Sequence, residues 1–167
     1  MDEIISLLSR REIEARLIAP LLEAFSDEFG RDITIEITRR TIIKMAEEQG
    51  RQLAAQSGAH GLKEFAGILE SWTQEGALEL DVIESNTERF AFNVNRCRYA
   101  EMYASLGCQE LGTLLSCSRD YAFAAGFNPD IELVRTQTIM DGDRYCDFRF
   151  RLKSPTSRLQ RFDRVRY

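Results

Sequence analysis

Histidine is nearly absent from this 167-residue chain; His60 is its single example. A Cys–His dyad or Ser–His–Asp triad would have to use that residue. It sits in a glycine-rich turn, away from the densest polar signature, and reads as a surface residue. A zinc hydrolase site of the usual imidazole-rich kind is equally poorly supplied. No GxGxxG, no Walker-type GK[ST] and no G-x-S-x-G elbow occurs, so the common nucleotide-binding and serine-hydrolase readings lack support. No apolar run approaches the roughly 20 residues that a membrane helix needs. The four cysteines include no tight CxxC pair, and the spacings of 20 and 29 residues between Cys97, Cys117 and Cys146 match no compact zinc motif. No metal and no cofactor is therefore expected. The opening MDEIISLLSRREIEAR starts acidic and does not read as a secretory signal. Free thiols and a cytoplasmic location are the expectation.

What is present is enough apolar residue, 44%, for one buried core, and a mild net charge of −5. That charge is unevenly spread. Residues 151–167 hold six Arg or Lys against one Asp, or +5, which leaves −10 on residues 1–150. An acidic body disfavours nucleic acid, because neutralising phosphates needs a basic surface. The basic tail reads as a solvated or subunit-contacting end. The expected partner is a small-molecule substrate, with a homo-oligomer left open and no membrane.

Along the chain, Ile13, Leu17, Ile18, Leu21, Leu22 and Phe25 repeat at the spacing of a helix face, with Pro20 expected to kink or divide it near Ala19 and Gly30 to cap it. Ile33, Ile35 and Ile37 alternate as in a strand, yet no breaker follows before Gln49 and the helical spacing continues, so a helix is expected there. Leu62, Phe65, Ala66, Leu69 and Trp72 form a third helical stripe. After Gly76 the period becomes two. ALELDVIES and ERFAFNVN form a hairpin, with Phe90, Phe92 and Val94 on one face. Two helices follow, from about Cys97 to Leu106 and from Glu110 to about Ala125. IELVRTQTIM and RYCDFRF then read as a second hairpin turned at Asp141-Gly142-Asp143. The expected fold is α+β in one domain. Residues 1–75 are helical, residues 76–150 add an antiparallel sheet of two hairpins with helices packed on one face, and 151–167 are a basic tail.

Chemistry concentrates between Phe90 and Phe150. Cys117 and Asp120 stand three apart on one helical face. A carboxylate alone raises a neighbouring thiol's pKa, so activation needs a cation such as Arg96 or Arg119, or a helix N-terminus. Cys97, after Arg96 and near a helix start, meets that need better than Cys117. Cys108 reads as a small buried hydrophobe. On the second hairpin, alternation puts Cys146, Phe148 and Phe150 on an apolar face. Arg135, Gln137, Asp147 and Arg149 then fall on a polar one, which on pattern alone is also what a solvated sheet face looks like.

The words FNVNRCRYAEMY, CSRD, RTQTIM and CDFR, in that order, resemble the L-2-amino-thiazoline-4-carboxylic acid hydrolase family. The resemblance implies hydrolytic opening of a 2-aminothiazoline ring at a C–N or C–S bond. For such a reaction Cys117 or Cys97 is the candidate nucleophile, Asp120 the base or orienting group, and Arg149 or Arg135 the partner of the substrate carboxylate. Thr136, Gln137 and Asp147 are candidates for positioning. The competing reading is a non-catalytic small-ligand or metal-binding domain similar to vinyl-reductase-type domains, favoured if the three thiols converge on one point.

Overall fold

A computed structural model describes residues 5–58 and 60–153. Helix α1 (Leu7–Phe29) opens on Ser6, whose hydroxyl accepts the Ser9 N–H at 3.2 Å. It runs unbroken through Pro20, so of the expected kink or division the division does not occur. A proline in a helix interior costs about 3 kcal/mol. Packing on both sides of it, through Ala15 and Leu22, carries α1 across the defect. Gly30 at φ 90° ends α1, its N–H donating to the Ser26 carbonyl, and α2 (Arg31–Ser57) departs at once. The Ile33–Ile37 alternation lies within α2, as expected. Short helices α3 (Leu62–Phe65) and α4 (Leu69–Trp72) flank one 3-10 turn. No helix among the described residues is long and apolar enough to cross a membrane.

Strands β1 (Leu78–Ser85) and β2 (Arg89–Cys97) form the first hairpin. After α5 (Arg98–Ser105), α6 (Gln109–Gly112), a wide π turn (Thr113–Cys117) and α7 (Ser118–Phe127) come β3 (Ile131–Val134) and β4 (Cys146–Leu152). The sheet is antiparallel throughout in the order β1-β2-β4-β3, so the fold is α+β with the two hairpins joined through β2 and β4. Phe92 faces Phe148 in register and their rings stack with centroids 4.7 Å apart. With Phe90, Val94 and Phe150 they form the inner face, covered by Leu62, Phe65, Ala124 and Phe127. A second core cluster joins α1, α5 and α6 through Leu8, Tyr103 and Leu111.

Helix α7 lies directly on α2. A methyl at Gly126 would collide with the Glu47 carbonyl, and one at Gly50 with the Phe123 carbonyl. Glycine at both positions is what lets the two backbones touch. The α1 stripe is a different matter. Leu22 is buried, but Ile13, Leu17, Leu21 and Phe25 face outwards, joined by Phe29 and by Ile33 and Ile37 of α2. Leu17 is 64% exposed.

The second hairpin departs most from expectation. β3 stops at Val134, and residues 135–145 do not form the tight Asp-Gly turn. Side chains take over from the ladder. Asp147 accepts the N–H groups of Thr136 (2.8 Å) and Gln137 (2.7 Å) and the Thr136 hydroxyl (2.7 Å). Asp143 accepts the Thr138 N–H, and the Cys146 sulfur accepts that of Ile139. Asp147 thus sits below its ordinary pKa despite partial burial, held there by these donors. The basic tail expected over 151–167 lies outside the described residues beyond Lys153.

Candidate active site

Between the two core clusters lies a cavity of about 440 Å³, within the roughly 300–1,000 Å³ usual for small-ligand sites. Its walls come from α1, α2, α4, the start of β1, the end of β2 with α5, the π turn with α7, the 135–140 segment and β4. Of the residues singled out from sequence, Cys97, Cys117, Asp120 and Arg135 line it, as does the third thiol, Cys146. Thr136, Gln137, Asp147 and Arg149 do not. The first three belong to the Asp147 latch. Arg149 spends its guanidinium on the carbonyls of Phe92 and Phe148 and on Asn93 Oδ1 at 2.8 Å. The polar surface expected across the hairpin is therefore divided. Arg135 turns inwards, and its three companions stay outside.

Arg135 leaves the sheet because Asp120 holds it. Its Nη1 donates to Asp120 Oδ2 at 2.6 Å and its Nη2 to the Cys117 carbonyl at 3.1 Å. The guanidinium lies over the Phe148 ring (4.8 Å) and the Tyr121 ring (5.2 Å), with the side chain only 5% exposed. Burial alone would lower the Arg135 pKa, but Asp120 beside it outweighs that and keeps the cation protonated. Burial pushes the Asp120 carboxyl up from its ordinary range, against the pull of Arg135.

The π turn sets this geometry. The Ser118 N–H and hydroxyl both reach back five residues to the Thr113 carbonyl. Such wide turns hold one residue more than an α turn and recur at functional sites. Upstream, Gly112 packs on Met140 and Thr113 donates to Asp141 at 2.6 Å. Downstream, Asp120 meets Arg135.

None of the thiols is poised as a thiolate. Burial lifts Cys117 well above the ordinary thiol range, Asp120 adds to the lift, and Arg135 only partly opposes it. The cation beside Cys117 is thus Arg135, not the sequence neighbour Arg119. Cys97 does cap α5, but burial carries it up to about 11 against the N–H groups of Ala100 and Tyr99. Arg96 is engaged outside the cavity by Glu101 at 2.7 Å and Glu79 at 3.1 Å. Cys146 is raised by burial too, and Cys108 lies in the core. All four cysteines are free. Cys97, Cys117 and Cys146 share the cavity wall, yet among the described residues no three His, Cys, Asp or Glu side chains group so as to hold a metal ion. His60 is exposed and does not line the cavity.

Sequence reasoning missed the α1 and α2 walls. Gln49, Gln52 and Gln56 face the cavity at helical spacing, a polar stripe that was there to be read. Arg11 carries no such signal, since it sits in a run of alternating charges.

A small α+β domain with an internal cavity rich in thiols and arginine is the class that this fold and site define. The chain belongs to the L-2-amino-thiazoline-4-carboxylic acid hydrolase family, whose model matches residues 10–150. A search of the curated proteins finds no match. Among solved structures, the chain is similar to a trafficking protein particle complex subunit 3 from Naegleria fowleri, covalently bound to palmitic acid. The TM-score is 0.52 at 13% identity, covering 87% of this chain and 96% of that one. It is also similar to the phenol-responsive sensory domain of the transcription activator PoxR, with a TM-score of 0.49 at 11% identity, over 81% of this chain and 72% of that one. At these identities the likeness is one of fold.

Proposed function

We propose that the cavity binds a small cyclic amidine and opens its ring by hydrolysis, with 2-aminothiazoline-4-carboxylate as the substrate class. The observation that carries this reading is the meeting of Cys117, Asp120 and Arg135 at one cavity wall. A neutral thiol needs a base, and Asp120 is the carboxylate on its own helix face. As the Cys117 sulfur bonds to C2, its proton passes to Asp120 and the C=N electron pair moves to the ring nitrogen. A nitrogen lone pair then re-forms a C=N bond as the ring C–S or C–N bond breaks; Asp120 returns its proton to the departing sulfur, or to the departing nitrogen, which takes its second proton from the exocyclic amino group. Water then displaces the Cys117 sulfur from the former C2 and gives it back a proton. Arg135 keeps Asp120 in place throughout, and Cys97 is the alternative nucleophile among the cavity's thiols.

The test is incubation of the purified protein with 2-aminothiazoline-4-carboxylate, followed by mass spectrometry for the gain of one water. Turnover is expected, with Cys117→Ser reducing it by about 100-fold or more. An inactive wild type overturns the reading.

A second reading, non-catalytic binding of an apolar ligand, draws on the apolar part of the cavity lining, Leu53, Trp72, Phe123 and Phe148. It predicts no turnover and a ligand retained on purification. The exposed apolar stripe of α1 and α2 supports a homo-oligomer under either reading.

A further inference from the structure

Positive charge on the cavity wall exceeds what the protein supplies to balance it. Arg10, Arg11, Arg119 and Arg135 line the cavity, and among the described residues lining it Asp120 is the sole carboxylate. Arg135 already occupies Asp120. Arg11 on α1 and Arg119 on α7 share one carboxylate behind the wall, Glu14. Arg11 Nη1 donates to Glu14 Oε2 at 2.6 Å, and Arg119 Nη2 reaches the same oxygen at only 3.4 Å. Both guanidiniums are buried, at 9% and 7% exposure. Arg119 Nε donates to the Leu115 carbonyl at 2.7 Å, while its Nη1 is buried with no hydrogen-bond partner among the described residues. The Tyr103 hydroxyl, in the same cluster, also has none.

Buried guanidiniums are tolerated when paired and saturated with hydrogen bonds. Two on one carboxylate are only partly paired, Arg119 is not saturated, and like charges repel. Burial, then the neighbouring Arg11, press the Arg119 pKa down. One anion short is the physical description of this cluster. Nη1 has no bond to give up, so on a residue of the cavity wall it is the donor left over for an acid.

We propose that Arg11 and Arg119 form a carboxylate subsite, so that the cavity takes an organic acid whose carboxylate sits between the two guanidiniums. Two donors of this geometry suit a planar carboxylate better than a single point charge does. That the body of the acid extends towards Cys117 and Asp120 rests on the ring-opening reading; the subsite itself does not.

Thiazole-4-carboxylate and thiazole-4-carboxamide, unreactive and nearly identical in shape, separate the charge from the ring. Calorimetric titration of the wild type should show the carboxylate binding at least about 10-fold more tightly, the scale of hydrogen bonds to a charged group. In Arg11→Gln and Arg119→Lys the preference for carboxylate over carboxamide should fall towards unity. Equal binding of the two probes by the wild type, or no binding of the carboxylate at millimolar concentration, overturns the proposal. So does a folded variant that keeps the full preference. Should Arg119→Lys fail to fold, the wild-type pair and Arg11→Gln still decide. A carboxylate preference without turnover of 2-aminothiazoline-4-carboxylate leaves the subsite standing and removes the ring-opening reading. Turnover without the preference removes the subsite alone.

Discussion

Asp120→Asn separates structural support from chemistry at the Asp120–Arg135 pair. Sequence alone suggests a silent change in stability, since Asn keeps the shape of Asp. The structure predicts otherwise. Arg135 is 5% exposed with Asp120 at 2.6 Å as its counter-ion, and a buried guanidinium cannot neutralise itself. Removing one partner of such a pair costs about 3–5 kcal/mol. Some of that is offset, because Asn still accepts a hydrogen bond and the Phe148 and Tyr121 rings remain over the cation. A neutral amide also escapes the burial penalty that lifts the Asp120 carboxyl. A loss of about 3 kcal/mol is expected, which for a domain of this size lowers Tm by roughly 6–12 °C. The double variant Asp120→Asn/Arg135→Met removes both charges and should recover to within about 1 kcal/mol of wild type. Thermal melts and urea titrations give the cycle, with turnover measured on each folded variant. A single variant melting within about 2 °C of wild type would refute the pairing argument. A double variant that regains turnover together with stability would show Asp120 to be support only.

Other perturbations have equally definite outcomes. Gly126→Ala gains about 1 kcal/mol of helix propensity but drives a methyl into the Glu47 backbone, which cannot swing aside as a side chain can; at an overpacking cost of about 3 kcal/mol, the upper part of the usual range, a net loss of about 2 kcal/mol is expected in denaturant titration, and a neutral result would contradict the α2–α7 contact. Raised thiols hold their protons in the native state, so stability should be level at neutral pH and fall as pH rises from about 8.5, the ordinary thiol value, towards the value of about 11 reached by Cys97. A stability curve flat across that window would speak against thiol burial, as would rapid alkylation of Cys97 or Cys117 at pH 7. Leu17→Glu, on the exposed α1 stripe, should shift the mass measured by light scattering towards the monomer without lowering Tm by more than a few degrees; an unchanged mass counts against a homo-oligomer built on that stripe.

The α+β architecture was legible because each half has its own period. Phe90, Phe92 and Val94, and Cys146, Phe148 and Phe150, alternate cleanly and do form the inner sheet face. Cys117 and Asp120 were legible as helix-face neighbours. The inward turn of Arg135 was not, because alternation assumes that the chain stays in its ladder, and Asp120, fifteen residues earlier, pulls it out. Periodicity also finds a stripe without saying which side it faces, and most of the apolar residues of the α1 stripe are exposed. The Arg11–Arg119 pairing joins residues more than a hundred positions apart through Glu14, and no local pattern encodes it.

The wide turn at Thr113–Cys117 has a genetic corollary. Gly112 and Thr113 are tied to Met140 and Asp141, and Asp120 is tied to Arg135, so two ends of one helical stretch dock on one short segment. An α-helix advances about 100° per residue, and the extra residue reconciles the two dockings. Loss of a single codon within the turn would restore ordinary helical winding while rotating one docking face away from the other. Cys117 and Asp120 would then be present in the sequence and absent from the cavity. A descendant of this chain that lost Leu114 or Ser116 would keep every side chain named above and still have no reason to keep the chemistry.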